Sequence, residues 1–276
     1  MGLPDLICIG AQKAGTTWLH GMLSQHPGVF RGPMKEVHYF DSVHFPDHRR
    51  WAKNGVKKSI KKRIKAHKKN NETPNEEKIA WLKSLADDRR IFTADWYKQI
   101  FSGPGSAGKI TFEITPAYSM LPLEGIKDVN LLLGNIPIVY IIRDPLSRIL
   151  SQIRMKASRK FGDDPISESE WIALYDGMRE RGDYKAYIPR WLSVFPEGNI
   201  HFIPFKKISA EPESVMRQVE ALVGLPPYKY KNLRRKRLSS KRFDVPPSVI
   251  DLLTEHVAPQ NAFLEQQFGK EFMNLI

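Results

Sequence analysis

Short apolar runs alternate with amphipathic stretches along most of the chain. Leu6-Ile7-Cys8-Ile9 is a continuous apolar run of strand length, as in a strand covered on both faces. Thr16 to Ser24 has helical spacing and is stopped by His26-Pro27-Gly28. Lys109 to Thr115 predicts a strand closed by Pro116, and a short helix runs through Leu131 to Leu133 and ends at Gly134-Asn135. Ile136 to Ile142, read IPIVYII, is β-branched and aromatic and is the strongest strand in the sequence. A helix follows Asp144-Pro145, where the aspartate can cap and the proline suits the first turn. Asn199 to Pro204 predicts a strand, and Pro212 to Val223 a helix with Val215, Val219 and Leu222 on one face. Pro246 to Phe263 reads as a helix in two pieces, interrupted at Pro259.

Strands alternating with helices predict an α/β protein built on a mostly parallel sheet. The expected organisation is a single domain over residues 1–276. A polar segment of weak periodicity, at about residues 53–90, lies over the sheet as an insertion. With 276 residues and 41% hydrophobic content the chain can build a full core. Its one cysteine, Cys8, has no internal partner, fits a reducing compartment and reads as a small buried strand residue. The first residues show no basic-then-apolar leader, and no window reaches the roughly 20 apolar residues of a membrane span. The expectation is therefore a soluble cytoplasmic protein.

Charge changes the picture locally. The net charge is +13, and residues 57–69 alone carry eight Lys or Arg and no acid, leaving +5 for everything else. Val56, Ile60, Ile64 and His67 follow one line through this stretch. A helix there would have a thin apolar stripe and a broad basic face. Such a face would attract an anionic acceptor or an anionic membrane surface, the second implying peripheral contact at the inner membrane. No helix-turn-helix, zinc-finger or aromatic-interleaved basic motif appears, so no nucleic acid is expected. Nor is a metal, since the histidines are read as offering no ligand pair and Cys8 lies in a strand.

Candidate chemistry begins at residues 10–17, GAQKAGTT, between the first strand and the first helix. Gly10 and Gly15 have the spacing of a phosphate loop, whose N–H groups and helix N-terminus together cradle an anion. The nucleotide-hydrolysing loop carries its lysine directly after the second glycine. Here Thr16 stands there and Lys13 sits inside the loop, which argues against a nucleotide kinase or NTPase. Thr16 and Thr17 add hydroxyl donors. A second element, Ile141-Ile142-Arg143-Asp144-Pro145, ends the strongest strand in an arginine whose fork suits a terminal phosphate. Ser151, two turns into the next helix, is placed to reach the same anion. Singly, these are a surface salt bridge and an ordinary helix serine.

Together GAQKAGTTWL and YIIRDPLSRILSQ resemble the two nucleotide-binding motifs of sulfotransferases that use 3′-phosphoadenosine 5′-phosphosulfate (PAPS). Lys35-Glu36-Val37-His38-Tyr39-Phe40-Asp41, Glu113-Ile114-Thr115-Pro116-Ala117-Tyr118, Gly182-Asp183-Tyr184, and Val245-Pro246-Pro247 with Ala258-Pro259-Gln260-Asn261 agree with that family, nearer its heparan-sulfate and bacterial branch. The resemblance implies the sulfotransferase fold, a P-loop-like central parallel sheet flanked by helices, and PAPS as donor with no metal. It implies that Lys13 meets the bridging oxygen of the phosphosulfate. Gln12, Lys13, Ala14, Gly15, Thr16, Thr17 and Trp18 would hold the 5′-phosphate side, and Arg143 and Ser151 the 3′-phosphate. Lys241 and Arg242, in a basic C-terminal loop, would close over the cofactor. Glu36 would be the general base, with His38 and Asp41 flanking it on the acceptor side. The acceptor would be a glycan, lipid or small metabolite bearing a hydroxyl or amine. The chain departs from the animal heparan enzymes at Ile114, where they carry a lysine.

Overall fold

A computed structural model describes residues 2–70, 75–196, 198–234 and 243–276. Five strands form one sheet: β1 (Leu6–Gly10), β2 (Val29–Phe30), β3 (Ile110–Ile114), β4 (Ile138–Ile142) and β5 (Ile200–Pro204). Their order is β2-β3-β1-β4-β5, and every pair is parallel. The central strands are buried along their whole length, as their unbroken apolar runs require when helices cover both faces. Ile7 lies opposite Glu113 on one side and Ile138 on the other, and the register shifts between Cys8 and Gly10.

Twelve α-helices connect and flank the sheet among the described residues: α1 (Thr16–Leu23), α2 (Tyr39–His44), α3 (Pro46–Lys69), α4 (Glu76–Ser84), α5 (Ala94–Phe101), α6 (Leu123–Leu133), α7 (Pro145–Lys160), α8 (Glu168–Asp176), α9 (Tyr184–Leu192), α10 (Lys207–Ala210), α11 (Pro212–Leu222) and α12 (Pro247–Asn274). From β1 the chain leaves toward β2 and β3; from β4 it leaves the opposite way, toward β5. The crevice between the carboxyl ends of β1 and β4 is therefore the sheet's switch point, where ligands bind in open α/β folds. It is flanked by the 10–15 loop and by Arg143.

Two expectations change. The segment at about 53–90 forms no strand, but it is more than a polar covering. α3 lays Ala52, Val56 and Ile60, with Ile64 beside them, into the main core, and Leu82, Leu85, Ile91 and Phe92 follow. A stripe one residue wide per turn has a weak periodicity in sequence yet suffices to pack a helix whose other faces are solvated. The C-terminal helix is not interrupted at Pro259, which lies inside α12; the non-helical residue is Gly269, φ +80°. Val257, Gln260 and Leu264, buried on either side of the proline, hold that turn in place. Val249, Leu253 and Val257 also join a second apolar cluster with α7 and α8, through Ile149, Ile153 and Trp171. Tyr39 starts α2, with His38 left-handed (φ +57°) as its N-cap.

Candidate active site

The loop after β1 is shaped by backbone. Gly15 is left-handed (φ +88°), and a Cβ on it would stand 2.8 Å from Ile208 Cδ1, so glycine is required there. α1 then begins with no side-chain cap and no acid in its first turn. Its leading N–H groups and the positive end of the helix are thus available to an anion. Lys13 is half-buried with Nζ 3.4 Å from Met155 Sδ. Burial first, then the charges of Arg143 and Arg159, pull its pKa down. Arg143 donates from Nη1 to the Lys13 carbonyl at 2.7 Å and lies 4.6 Å from the centre of the Phe205 ring. Its Nε is buried with no partner among the described residues. α7, which carries half-buried Ser151, is tied to the loop by Gln152, whose Nε2 donates to Gln12 Oε1 at 2.8 Å. Gln152 in turn accepts from buried Arg148 at 2.6 Å. Trp18 donates from Nε1 to the Leu233 carbonyl at 2.9 Å. Lys241 and Arg242 lie outside the described residues.

The acid side is a chain of charges. Glu36 Oε1 accepts from Lys35 Nζ at 2.6 Å, and Glu36 Oε2 lies 3.3 Å from His38 Nε2. His38 Nδ1 lies 2.9 Å from Asp41 Oδ2, and His48 Nδ1 reaches the same oxygen at 3.1 Å. With a carboxylate at each nitrogen, His38 has its pKa raised to about 9 against the opposing effect of burial. Although burial opposes it, His38 and Lys35 bring Glu36 down to about 2. Asp41 is 0% exposed and is likewise held ionised, by its two histidines. The acid chain and the phosphate loop meet through Lys35, whose Nζ is also 3.5 Å from Thr16 Oγ1.

Beneath this chain sits Glu113, 1% exposed at the end of β3. Tyr97, Tyr118 and Thr115 donate their hydroxyls to it at 2.5, 2.6 and 2.8 Å. Two of those oxygens then accept main-chain donors: Thr115 Oγ1 from Val37 N at 3.1 Å, Tyr118 Oη from Tyr39 N at 3.0 Å. The carboxylate points the hydroxyl protons inward and so turns lone pairs toward the segment carrying Glu36 and His38. Burial dominates its own titration, raising the pKa to about 7. Ile114, the departure noted above, is buried in the core.

The sequence reading passed over several members of this site. Lys35 and Gln152 stand in the quoted motifs without a role, and His48 and the hydroxyls on Glu113 were not found. His44 and His48 do stand four residues apart, a metal-like spacing. Pro46 separates their helices, however, and His44 goes instead to Asp128 at 2.9 Å. Among the described residues no three His, Cys, Asp or Glu side chains gather as a metal-ligand group. Cys8 is fully buried, with its thiol pushed up to about 12.

A strand–glycine loop–helix unit at the switch point, with cations converging on it, defines a P-loop-like anion-binding α/β protein. The family model described as "Sulfotransferase family" matches residues 4–229, and the chain belongs to that family. The mouse heparan sulfate glucosamine 3-O-sulfotransferase 3B1 is 24% identical over 236 residues, covering 81% of this chain and 46% of that protein. The mouse 3-O-sulfotransferase 5 is 26% identical over 238 residues, covering 82% and 54%. The chain thus spans about half the length of the curated relatives it matches. In fold it is similar to a sulfotransferase from Alicyclobacillus acidocaldarius, with TM-score 0.67, 22% identity, and 98% and 97% of the two chains covered. The sheet flanked by helices is therefore the sulfotransferase fold.

Proposed function

We propose that the enzyme moves a sulfuryl group from PAPS to a hydroxyl or amine of a glycan, lipid or small-metabolite acceptor. The observation that carries this is Lys35, which bridges Glu36 and Thr16 and so sets an acceptor-side carboxylate one side chain from the phosphate loop. The donor set fits a nucleotide that carries anionic groups at both its 5′ and 3′ positions. It offers an uncapped helix start, a lysine and an arginine in no ion pair with a described carboxylate, and a buried Arg143 Nε with no hydrogen bond among the described residues. PAPS supplies the activated sulfuryl group and a phosphate as leaving group.

The protein's residues do the rest. Gln12, Lys13, Ala14, Gly15, Thr16, Thr17 and Trp18 bind the 5′ side. Arg143 and Ser151 bind the 3′-phosphate, with Lys241 and Arg242 assigned to the same nucleotide by resemblance. Glu36 takes the acceptor proton; His38 holds its second oxygen, and Asp41 holds His38. Lys13 balances the negative charge that grows on the leaving oxygen. Glu36 at about 2 is a weak base while Lys35 grips it. When Lys35 turns toward an anion in the loop, Glu36 loses a hydrogen bond and a neighbouring charge, and its basicity rises.

Calorimetry tests the donor half: adenosine 3′,5′-bisphosphate binds tightly and ATP weakly, with activity undiminished by EDTA. Equal affinity for both, or a strict magnesium requirement, returns the kinase reading. Incubation with radiolabelled donor and cell lipid and glycan extracts identifies the acceptor. The exposed lysines of α3 suit an anionic acceptor or a peripheral position on an anionic inner membrane, which co-sedimentation with anionic and neutral vesicles decides. No described helix is long and apolar enough to cross a membrane.

A further inference from the structure

Segment 30–38 and helix α3 enclose two cavities in line. One, of about 250 Å³, is walled by Lys35, Glu36, His38, Trp51 and Ser59 and is the acceptor side just described. The other, of about 280 Å³, opens where α3 reaches Arg63, with Arg31, Lys78 and Trp81 in its walls. Ser59 and Arg63 are a single turn apart, about 6 Å along the axis.

The two cavities differ in charge. Glu36 in the first is matched by Lys35 and His38. The second gathers Arg31, Arg63 and Lys78, and no described carboxylate lines it. Arg63 is fixed by main chain, Nη2 to the Gly32 carbonyl at 2.9 Å and Nε to Pro33 at 3.2 Å. Burial and the charge of Arg31 beside it both press its pKa down. Two guanidinium groups that repel each other, one of them locked in place, gain most from an anion between them. Trp81 adds a rigid flat wall, its Nε1 bound to the Gln99 carbonyl at 2.9 Å and its ring edge-on to Phe30.

We propose that this second cavity is a distal anion subsite that receives a sulfate, carboxylate or phosphate substituent of an extended acceptor whose reacting group lies at Glu36. Anion binding stands on the cavity alone; which end of the acceptor reacts rests on the function proposed above. Gly55 lines the first cavity and Ala66 the second. That separation is about 16 Å along the helix, so the acceptors selected carry their charge about that far from the sulfated group.

The test uses the full chain saturated with adenosine 3′,5′-bisphosphate, which fills the phosphate loop, and follows the indole N–H resonances of Trp81 and Trp51. Inorganic tripolyphosphate is expected to shift Trp81 saturably and to leave Trp51 in place. Arg31→Gln with Lys78→Gln should weaken that titration tenfold or more; both side chains lack hydrogen-bond partners among the described residues, so the fold is spared. Lys61→Gln with Lys62→Gln removes equal charge from α3 outside both cavities and should change it less than twofold. A sulfated octasaccharide from heparin is expected to shift both tryptophans. Equal weakening by the two double variants, or no saturable shift of Trp81, overturns the site. An octasaccharide that moves Trp81 alone overturns its role as an acceptor subsite. Failure of adenosine 3′,5′-bisphosphate to bind would instead strike the proposed donor, while the Trp81 titration still reports on the cavity.

Discussion

Around the 10–17 loop, Lys13 and Arg143 touch a sulfur, a carbonyl oxygen and the face of Phe205, and among the described residues neither forms an ion pair with a carboxylate. Around Glu36 the reverse holds: carboxylate, lysine, histidine and buried aspartate alternate in sign, and each charge has its opposite within 3.3 Å. The first half stores unmet attraction for a ligand that arrives with its own negative charge. The second is already balanced, as suits the proposed acceptor side, which would receive a neutral hydroxyl or amine and change protonation without collapsing. Substitutions should therefore act in opposite ways on the two halves, through binding on one and through turnover and pH on the other.

The largest expected effect is on the balanced half. Glu36→Gln should lower turnover by about 10²–10⁴, the usual scale for a general base, and leave the affinity for adenosine 3′,5′-bisphosphate within twofold. Steady-state kinetics with nucleotide calorimetry separate the two; a variant near full activity would remove Glu36 from the proton transfer.

His38 gives the next. Its folded pKa of about 9 lies above the ordinary 6.5, so its ion pairs contribute fully below pH 6.5 and are lost as pH rises through about 9. The shift corresponds to about 3 kcal/mol before screening. Glu113 works in the same direction, its contribution present below about 4.5 and lost through about 7. Glu36 works oppositely, its contribution present above about 4.5 and lost as pH falls through about 2. Denaturant midpoints should thus peak near pH 4.5, fall as Glu113 ionises and fall further toward pH 9 as His38 loses its proton. His38→Gln should flatten the alkaline half of that decline, and an unchanged slope would show that His38 is not the charged centre of the chain.

On the unbalanced half, Arg143→Ala should weaken adenosine 3′,5′-bisphosphate by about 10- to 150-fold, corresponding to the 1.5–3 kcal/mol of a charge-assisted hydrogen bond. ATP, which lacks the 3′-phosphate, should lose much less. An equal loss for both nucleotides would place Arg143 on the shared phosphates instead.

How far this contrast was legible in sequence follows from the range of each interaction. The unbalanced half is local: Gly10, Gly15 and Lys13 lie in one loop, and Arg143 ends a strand whose apolar run announces it. β1, β3, β4, β5, α1 and α11 were read within a residue or two of their ends for the same reason. The two-residue β2 exists only by pairing with β3, and no local signal marks it. The balanced half is tertiary. Lys35 meets Thr16 from 19 residues away, and His48 meets Asp41 only after the chain turns into α3. An acid in an apolar strand, as Glu113 is, gives no hint that Tyr97 and Tyr118 will close on it.

That brace is itself a test of the balanced half. Glu113→Gln replaces an acceptor of three hydroxyl donors with an amide that must donate to at least one of them. Thr115 and Tyr118 share Oε1 and can keep the amide oxygen, so the amide nitrogen faces Tyr97, whose hydroxyl must turn away, at about 1–3 kcal/mol for a buried polar group left unmatched. Stability should fall by that amount, with kcat nearly unchanged because Val37 N and Tyr39 N keep their acceptors. Tyr118→Phe deletes the oxygen that receives Tyr39 N and should lower kcat with KM for the donor unchanged; full activity there would make the brace purely structural.

The smallest effect marks where balance stops mattering. Lys57 and Lys53 both reach Asp88 on the outer side of α3, at 2.5 and 2.9 Å. Asp88 is exposed, so water and salt already screen what the pair gains. Lys57→Gln should give no measurable shift in melting temperature at physiological salt, although its geometry on paper rivals that of Lys35 and Glu36. A clear loss of stability would mean that α3 is held by its outer charges as well as by Ala52, Val56 and Ile60. Its buried stripe would then carry less of the packing than its burial implies.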